Sequence, residues 1–226
     1  MECEDILERL KSLANAENVA GMARYGINPQ NTLGISVPVL RKMAREIGRD
    51  HALALELWAS GVHEARILAG MIDDPRLVTE AQMDAWAADF DSWDVCDQCC
   101  ANLFDKTEPA YRKAVEWAAR DEEFVKRAGF ALMAALAWHD KRAPDEAFLA
   151  FLPVITRESG DGRNFVRKAV NWALRTIGKR NAALNIRAVA TAKEIQATGS
   201  KPARWIAADA LRELTSEKVQ ERLRTP

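Results

Sequence analysis

The sequence is poor in the residues from which many sites are built. Only four of its 226 residues are cysteine and three are histidine. Cys3 stands apart while Cys96, Cys99 and Cys100 cluster, which does not make a disulfide framework, so a reducing, cytoplasmic setting is expected. Cys96-Asp-Gln-Cys99 has no second Cys or His pair beside it to complete a zinc site, and His51, His63 and His139 are scattered. A redox role for the CxxC would need a βαβ setting that the sequence does not offer, so buried thiols outside any disulfide are expected. His63-Glu64 lacks the second histidine of a zincin. No GxxxxGK[ST], GxGxxG or GxSxG occurs, which removes the motif support for nucleotide-dependent and serine-hydrolase chemistry. No apolar run of about 18 residues is present, so no membrane-spanning helix is expected. Met1-Glu2-Cys3-Glu4-Asp5 is acidic and leads into an amphipathic pattern, unlike a signal peptide.

Glycine (11) and proline (8) are also sparse and fall mostly between periodic segments. Val, Ile and Thr never alternate with polar residues for long, so strands are not expected. Apolar residues instead recur at three and four. Leu7-Leu10-Leu13 marks one helix, and Val39-Leu40-Met43-Ala44-Ile47 another, entered at Pro38 and ended at Gly48. Leu53-Leu57 and Ile67-Leu68-Met71-Ile72 follow, and Thr79-Glu-Ala-Gln82 has the form of a capping box. Further helical patterns cover 92–104, 109–119, 122–138, 144–157, 163–179, 183–197, 201–213 and 216–223. An apolar content of 48% and a charged content of 29% are enough to give such helices a core.

Two stretches align: Asp121-Glu-Glu-Phe-Val-Lys-Arg-Ala and Asp161-Gly-Arg-Asn-Phe-Val-Arg-Lys-Ala, with Lys201-Pro-Ala-Arg-Trp-Ile-Ala as an echo. Their spacing of about 40 residues is that of HEAT-type repeats. The expected fold is therefore all-α, a curved right-handed α-solenoid of antiparallel helix pairs with a concave face for a partner. It is expected as one domain over 1–226, frayed at 1–3 and 224–226.

Charge is uneven. Residues 157–226 hold 15 Lys and Arg against 7 Asp and Glu, whereas the whole chain carries a formal net charge of −1. Such asymmetry can present a basic surface on a neutral molecule, although a solvated helical surface gives the same count.

Three helices hold candidate chemistry. In Phe90-Asp-Ser-Trp-Asp-Val-Cys-Asp97, Ser92 or Asp91 can cap the helix, and Trp93 and Asp97 share a face at i and i+4. A carboxylate beside an indole is shielded from water and acts more strongly on a nearby developing cation; the alternative is that Trp93 is core. In the second helix, Lys126 and Arg127 precede an Ala-rich apolar stretch, and Arg127 can hold a phosphate bidentately or simply end a helix. In the third, a helical wheel at about 100° per residue gathers Phe165, Val166, Ala169, Val170, Ala173 and Ile177 as a core stripe. Asn164, Lys168, Asn171, Arg175 and Lys179 form the opposite stripe, with Trp172 at its edge. A basic-and-amide stripe edged by an indole suits a phosphate backbone, and a solvated face is the alternative.

Together these segments resemble the HEAT-like-repeat alkylpurine DNA glycosylases, the AlkD family. The resemblance spans nearly the whole chain: Tyr25-Gly-Ile, Leu33-Gly-Ile-Ser-Val-Pro-Val-Leu-Arg-Lys42, Phe90 to Asp97, Val125-Lys-Arg-Ala-Gly129, and Asn164-Phe-Val-Arg-Lys-Ala-Val-Asn-Trp172 with Arg175. It implies hydrolysis of the N-glycosidic bond of N3- or N7-alkylated purines in duplex DNA by a monomer needing no metal or cofactor. It implies that Trp93 and Trp172 flank the lesion's deoxyribose in a concave cleft, that Asp97 is the catalytic carboxylate, and that Arg127 and Arg175 engage the DNA backbone. Lys168, Asn171 and Lys179 extend that backbone surface. Two other readings stay open: a non-catalytic DNA-binding or lesion-sensing paralogue, and a protein-binding helical scaffold, in which Trp93 and Trp172 would be core.

Overall fold

The computed structural model describes residues 2–224. Among these the chain is helical, without a strand, and divides into two compact units at Thr107. The expected frayed ends fall partly outside the described residues; Cys3 opens the first helix and Arg224 closes the last.

The first unit contains α1 (Cys3–Ser12), α2 (Ala16–Arg24), α3 (Val37–Ile47), α4 (His51–Ala59), α5 (His63–Ile72), α6 (Glu80–Ala88) and α7 (Trp93–Asn102), followed by a 3₁₀ turn at Phe104–Lys106. Pro38 lies in the first turn of α3, where its missing N–H costs nothing, and Gly48 ends that helix at φ 81°. Thr79 Oγ1 caps α6 by accepting from the Gln82 amide at 3.1 Å, but the Gln82 side chain turns away to Asp73. Only half of the expected box forms. Trp58 and Trp86 stack with centroids 3.9 Å apart, and Phe90 meets Trp58 edge-on. Cys96, Cys99 and Cys100 of α7 are fully buried. Helix α2 has no counterpart among the periodic segments. None of its residues is buried and Val19 and Met22, three apart, are its only large apolar residues, so its stripe is short; its start is marked by Asn15, whose Oδ1 accepts from the Asn18 amide at 3.0 Å.

The second unit contains α8 (Ala110–Ala118), α9 (Glu123–His139), α10 (Asp145–Leu149), α11 (Leu152–Glu158), α12 (Asn164–Gly178), α13 (Ala182–Ala197), α14 (Lys201–Leu214) and α15 (Glu217–Arg224). The segment 144–157, expected as one helix, breaks at Ala150-Phe151 into α10 and α11. Pro153 is the reason: it sits in the first turn of α11 and has no N–H to continue a ladder from α10. The break turns Phe148 and Phe151 inward, against Tyr111, at centroid distances of 6.2 and 5.8 Å.

Helix α9 is the spine of this unit, with every residue from Val125 to Ala137 buried. A Cβ on Gly129 would lie 2.4 Å from the backbone nitrogen of Ala118, so only glycine permits this approach of α8. The 40-residue period is visible as a set of links between successive repeats. Arg163 reaches the Asp121 carbonyl near the starts of α12 and α9, and Arg180 Nη1 donates to the Ala137 carbonyl near their ends at 2.8 Å. Starts and ends match, so α9 and α12 run parallel.

Candidate functional site

The start of α7 is fixed by contacts distant in sequence. Ser92 is fully buried, and its hydroxyl accepts from the Asn28 amide at 2.9 Å rather than capping α7. Asn28 Nδ2 donates to Asp91 at 2.7 Å. Asp94, in the first turn, meets His63 Nε2 at 2.9 Å. Burial opposes protonation of His63, but Asp94, with Glu64 and Asp91 behind it, prevails and raises its pKa above the ordinary value. Glu64 is completely buried and gathers three amides, accepting from Leu33 at 2.8 Å, Gly34 at 2.7 Å and Ile35 at 3.1 Å. Gly34 adopts φ +79°, where a Cβ would fall 2.3 Å from the Asn15 carbonyl.

This clamped loop supports Trp93. Its indole Nε1 donates to the Tyr25 carbonyl at 3.1 Å, and the ring lines an open cleft of about 730 Å³. Tyr25, Met22, Ile27 and Ile35 form much of the remaining apolar wall. Tyr25 is 76% exposed, while Trp93 is half-buried and so is Asp97, one helical turn further on. The nearby Cys99 and Cys100 thiols are pushed far up by burial, which keeps them protonated and removes them as nucleophiles. The group left for chemistry on this helix is a carboxylate beside an indole.

The second unit holds the remaining candidates. Arg127 is buried and its Nη1 donates to the Phe165 carbonyl at 2.7 Å. Its neighbour Lys126 is paired with Glu158 at 2.9 Å and Asp161 at 3.6 Å. On α12, Trp172 is half-buried and Lys168 is exposed. Asn164 is exposed too, and the other three members of the stripe face α14: Asn171 Nδ2 donates to Asp209 at 2.6 Å, and Arg175 and Lys179 both pair with Glu213. Burial alone would raise the Glu213 pKa, but these two cations lower it.

The model of a family described as DNA alkylation repair enzymes matches residues 6–214. The chain belongs to the DNA alkylation repair family. One solved structure is similar over 99% of this chain and 96% of its own, with a TM-score of 0.79 and 20% identity. It is described as belonging to a new family of proteins related to the HEAT-like repeat DNA glycosylases, with affinity for branched DNA structures. That likeness establishes the HEAT-like-repeat fold. No curated protein sequence matches.

In this alkylation-repair protein, Trp93 and Asp97 occupy adjoining turns of one helix, as their spacing requires. Neither Trp93 nor Trp172 is core, unlike the expectation for a scaffold. Arg127, Asn171, Arg175 and Lys179 are engaged by partners within the protein, and Lys168 projects from the stripe. The sequence reading did not find Asn28, His63, Glu64 and Asp94 as supports of α7. Their partners lie about 30 to 60 residues away, beyond the reach of any local pattern.

Proposed function

We propose that this member of the DNA alkylation repair family is a monofunctional DNA glycosylase acting on N3- and N7-alkylated purines in duplex DNA. The observation that carries this reading is the partly exposed Asp97 one turn beyond Trp93, on a helix whose first turn is locked by His63 and Asp94. An alkylated purine is already cationic and leaves readily, so protonation by a general acid contributes little. The demanding step is charge development on the deoxyribose. Asp97 stabilises the oxocarbenium-like sugar electrostatically, and the Trp93 indole face adds a cation–π contribution. Water adds through its oxygen to C1′, the purine departs with the bonding electron pair and becomes neutral, and the surplus proton passes through Asp97 to solvent. By family resemblance Trp172 is assigned the second indole and Arg127 and Arg175 the DNA backbone, and Lys168, Asn171 and Lys179 extend that surface. This chemistry uses no metal or cofactor.

The test is base release from duplex DNA containing one N7-methylguanine, by the wild type and by Asp97→Asn. Release by the wild type alone supports the glycosylase. A second reading, a DNA-structure binder without catalysis, is favoured by the pairing of Arg175 and Lys179 with Glu213 and by the branched-DNA affinity of the similar protein. It predicts no release by either form, with tighter binding to a four-way junction than to linear duplex.

A further inference from the structure

At one end of the second unit, the C-terminal ends of α9 and α12 and the last helix, α15, enclose an open pocket of about 430 Å³. Its wall includes Trp138 and four cations, Lys141, Lys179, Arg180 and Arg222, with no carboxylate among the described lining residues. Trp138 is 57% exposed, an unusual state for an indole. Lys141 Nζ sits 5.2 Å from the centroid of that ring.

Two of the cations are held in place by the fold. Arg180 Nη1 donates to the Ala137 carbonyl and Arg222 Nη2 to the Lys179 carbonyl at 2.9 Å, so each satisfies the end of the preceding repeat's helix. A guanidinium has five donors, and these bonds leave others available. Arg180 Nε is buried with no hydrogen-bond partner. Three carboxylates stand close behind, and Asp145 accepts from Asn181 of the wall at 2.8 Å. Glu213 binds Lys179, and Asp140 accepts from the Tyr111 hydroxyl and the amides of Arg142 and Ala143. Lys141 and Arg222 are the cations left to meet a ligand.

An exposed indole beside cations is the combination that binds a nucleotide: a plate for the base and charge for the phosphate. The bases of intact duplex are stacked on one another and cannot reach such a plate. We propose that this pocket takes an unpaired nucleotide of DNA, its base stacked on Trp138 and its phosphate held by Lys141 and Arg222. Lys141, on its flexible stem, swings from the indole face to the phosphate as the base arrives. The proposal rests on the reading of the chain as DNA-binding and adds a contact remote in sequence from Asp97, with no part in bond cleavage.

The test uses the full-length protein and fluorescein-labelled 12-nucleotide probes: oligo-dT, the same strand with abasic sites, and a blunt duplex. Trp138→Ala should weaken binding of oligo-dT about tenfold, with Trp138→Phe restoring most of it. Lys141→Glu should weaken oligo-dT and lower the salt slope by about one. Duplex binding and release of N7-methylguanine should be unchanged in the tryptophan variants. Three results would overturn the proposal: no binding of oligo-dT by the wild type, equal binding of the abasic strand, or oligo-dT affinity unmoved by Trp138→Ala. A wild type that releases no base yet binds oligo-dT through Trp138 would remove the glycosylase reading and leave this one standing.

Discussion

The first unit, residues 1–107, holds 10 Lys and Arg against 18 Asp and Glu, and the second holds 22 against 15. The net charges of −8 and +7 cancel almost completely in the whole chain. The units also hold their helices differently. In the second, an arginine in each repeat reaches back to a carbonyl about 40 residues earlier, as Arg163, Arg180 and Arg222 do. In the first, a buried carboxylate gathers the amides of an irregular loop. The regular unit repeats one bond at one period, whereas the irregular unit uses unlike contacts, with Glu64 on the loop, His63 on Asp94 and Ser92 on Asn28. A cationic total therefore does not mean available charge, because much of it closes helix ends or faces α14. An acidic total does not exclude a role on DNA for the unit bearing Asp97.

Several substitutions set these two modes against each other. Glu64→Ala leaves two buried amides and one part-buried amide without their acceptor and should lower unfolding stability by about 3–5 kcal/mol, read by denaturant titration. Arg180→Ala, which removes one of several repeat links, should cost only about 1–2 kcal/mol in the same titration. An equal loss in both would erase the contrast. Asp97→Asn should reduce base release at least about 100-fold with the circular dichroism spectrum unchanged. Glu213→Gln weakens the hold on Arg175 and Lys179 and should tighten duplex binding several-fold at low salt, with a steeper salt slope. Unchanged affinity would assign these two cations to α14 alone. The smallest effect is expected at His63. Its raised pKa means that its ion pair with Asp94 stabilises fully below about pH 6.5, the unfolded value, and that this contribution is lost as pH rises through the folded value. The stability gap between wild type and His63→Gln should therefore narrow from pH 5.5 to pH 9.

Much of the fold was legible because burial dictates the apolar period. On α12 five of the six expected core residues, Val166, Ala169, Val170, Ala173 and Ile177, are fully buried, while Phe165 in the first turn is half-buried against Phe124. Helix α2 buries nothing, and its stripe of large apolar residues is only Val19 and Met22. The polar stripe of α12 was found, but its partner was not, although the signal existed. Asn171 and Arg175 are four apart, and so are Asp209 and Glu213, displaced by nearly one repeat. Applying the 40-residue period to charges as well as apolar residues would have paired them. The spacing of Trp93 and Asp97 was readable because both lie on one helix. The clamp at His63 and Glu64 was not, because it depends on how α5 packs against the loop before α3.

Glu64 also imposes an order on synthesis. The loop at Leu33 to Ile35 leaves the ribosome about 30 residues before the carboxylate that closes it. Until Glu64 emerges, those amides remain hydrated and Gly34 is free to sample other backbone states. The Tyr25 carbonyl must wait longer still, for Trp93. The N-terminal segment therefore matures from its far end backwards: a nascent chain stopped before α5 should be cut readily by protease at residues 26–36, and one extended past α7 should resist.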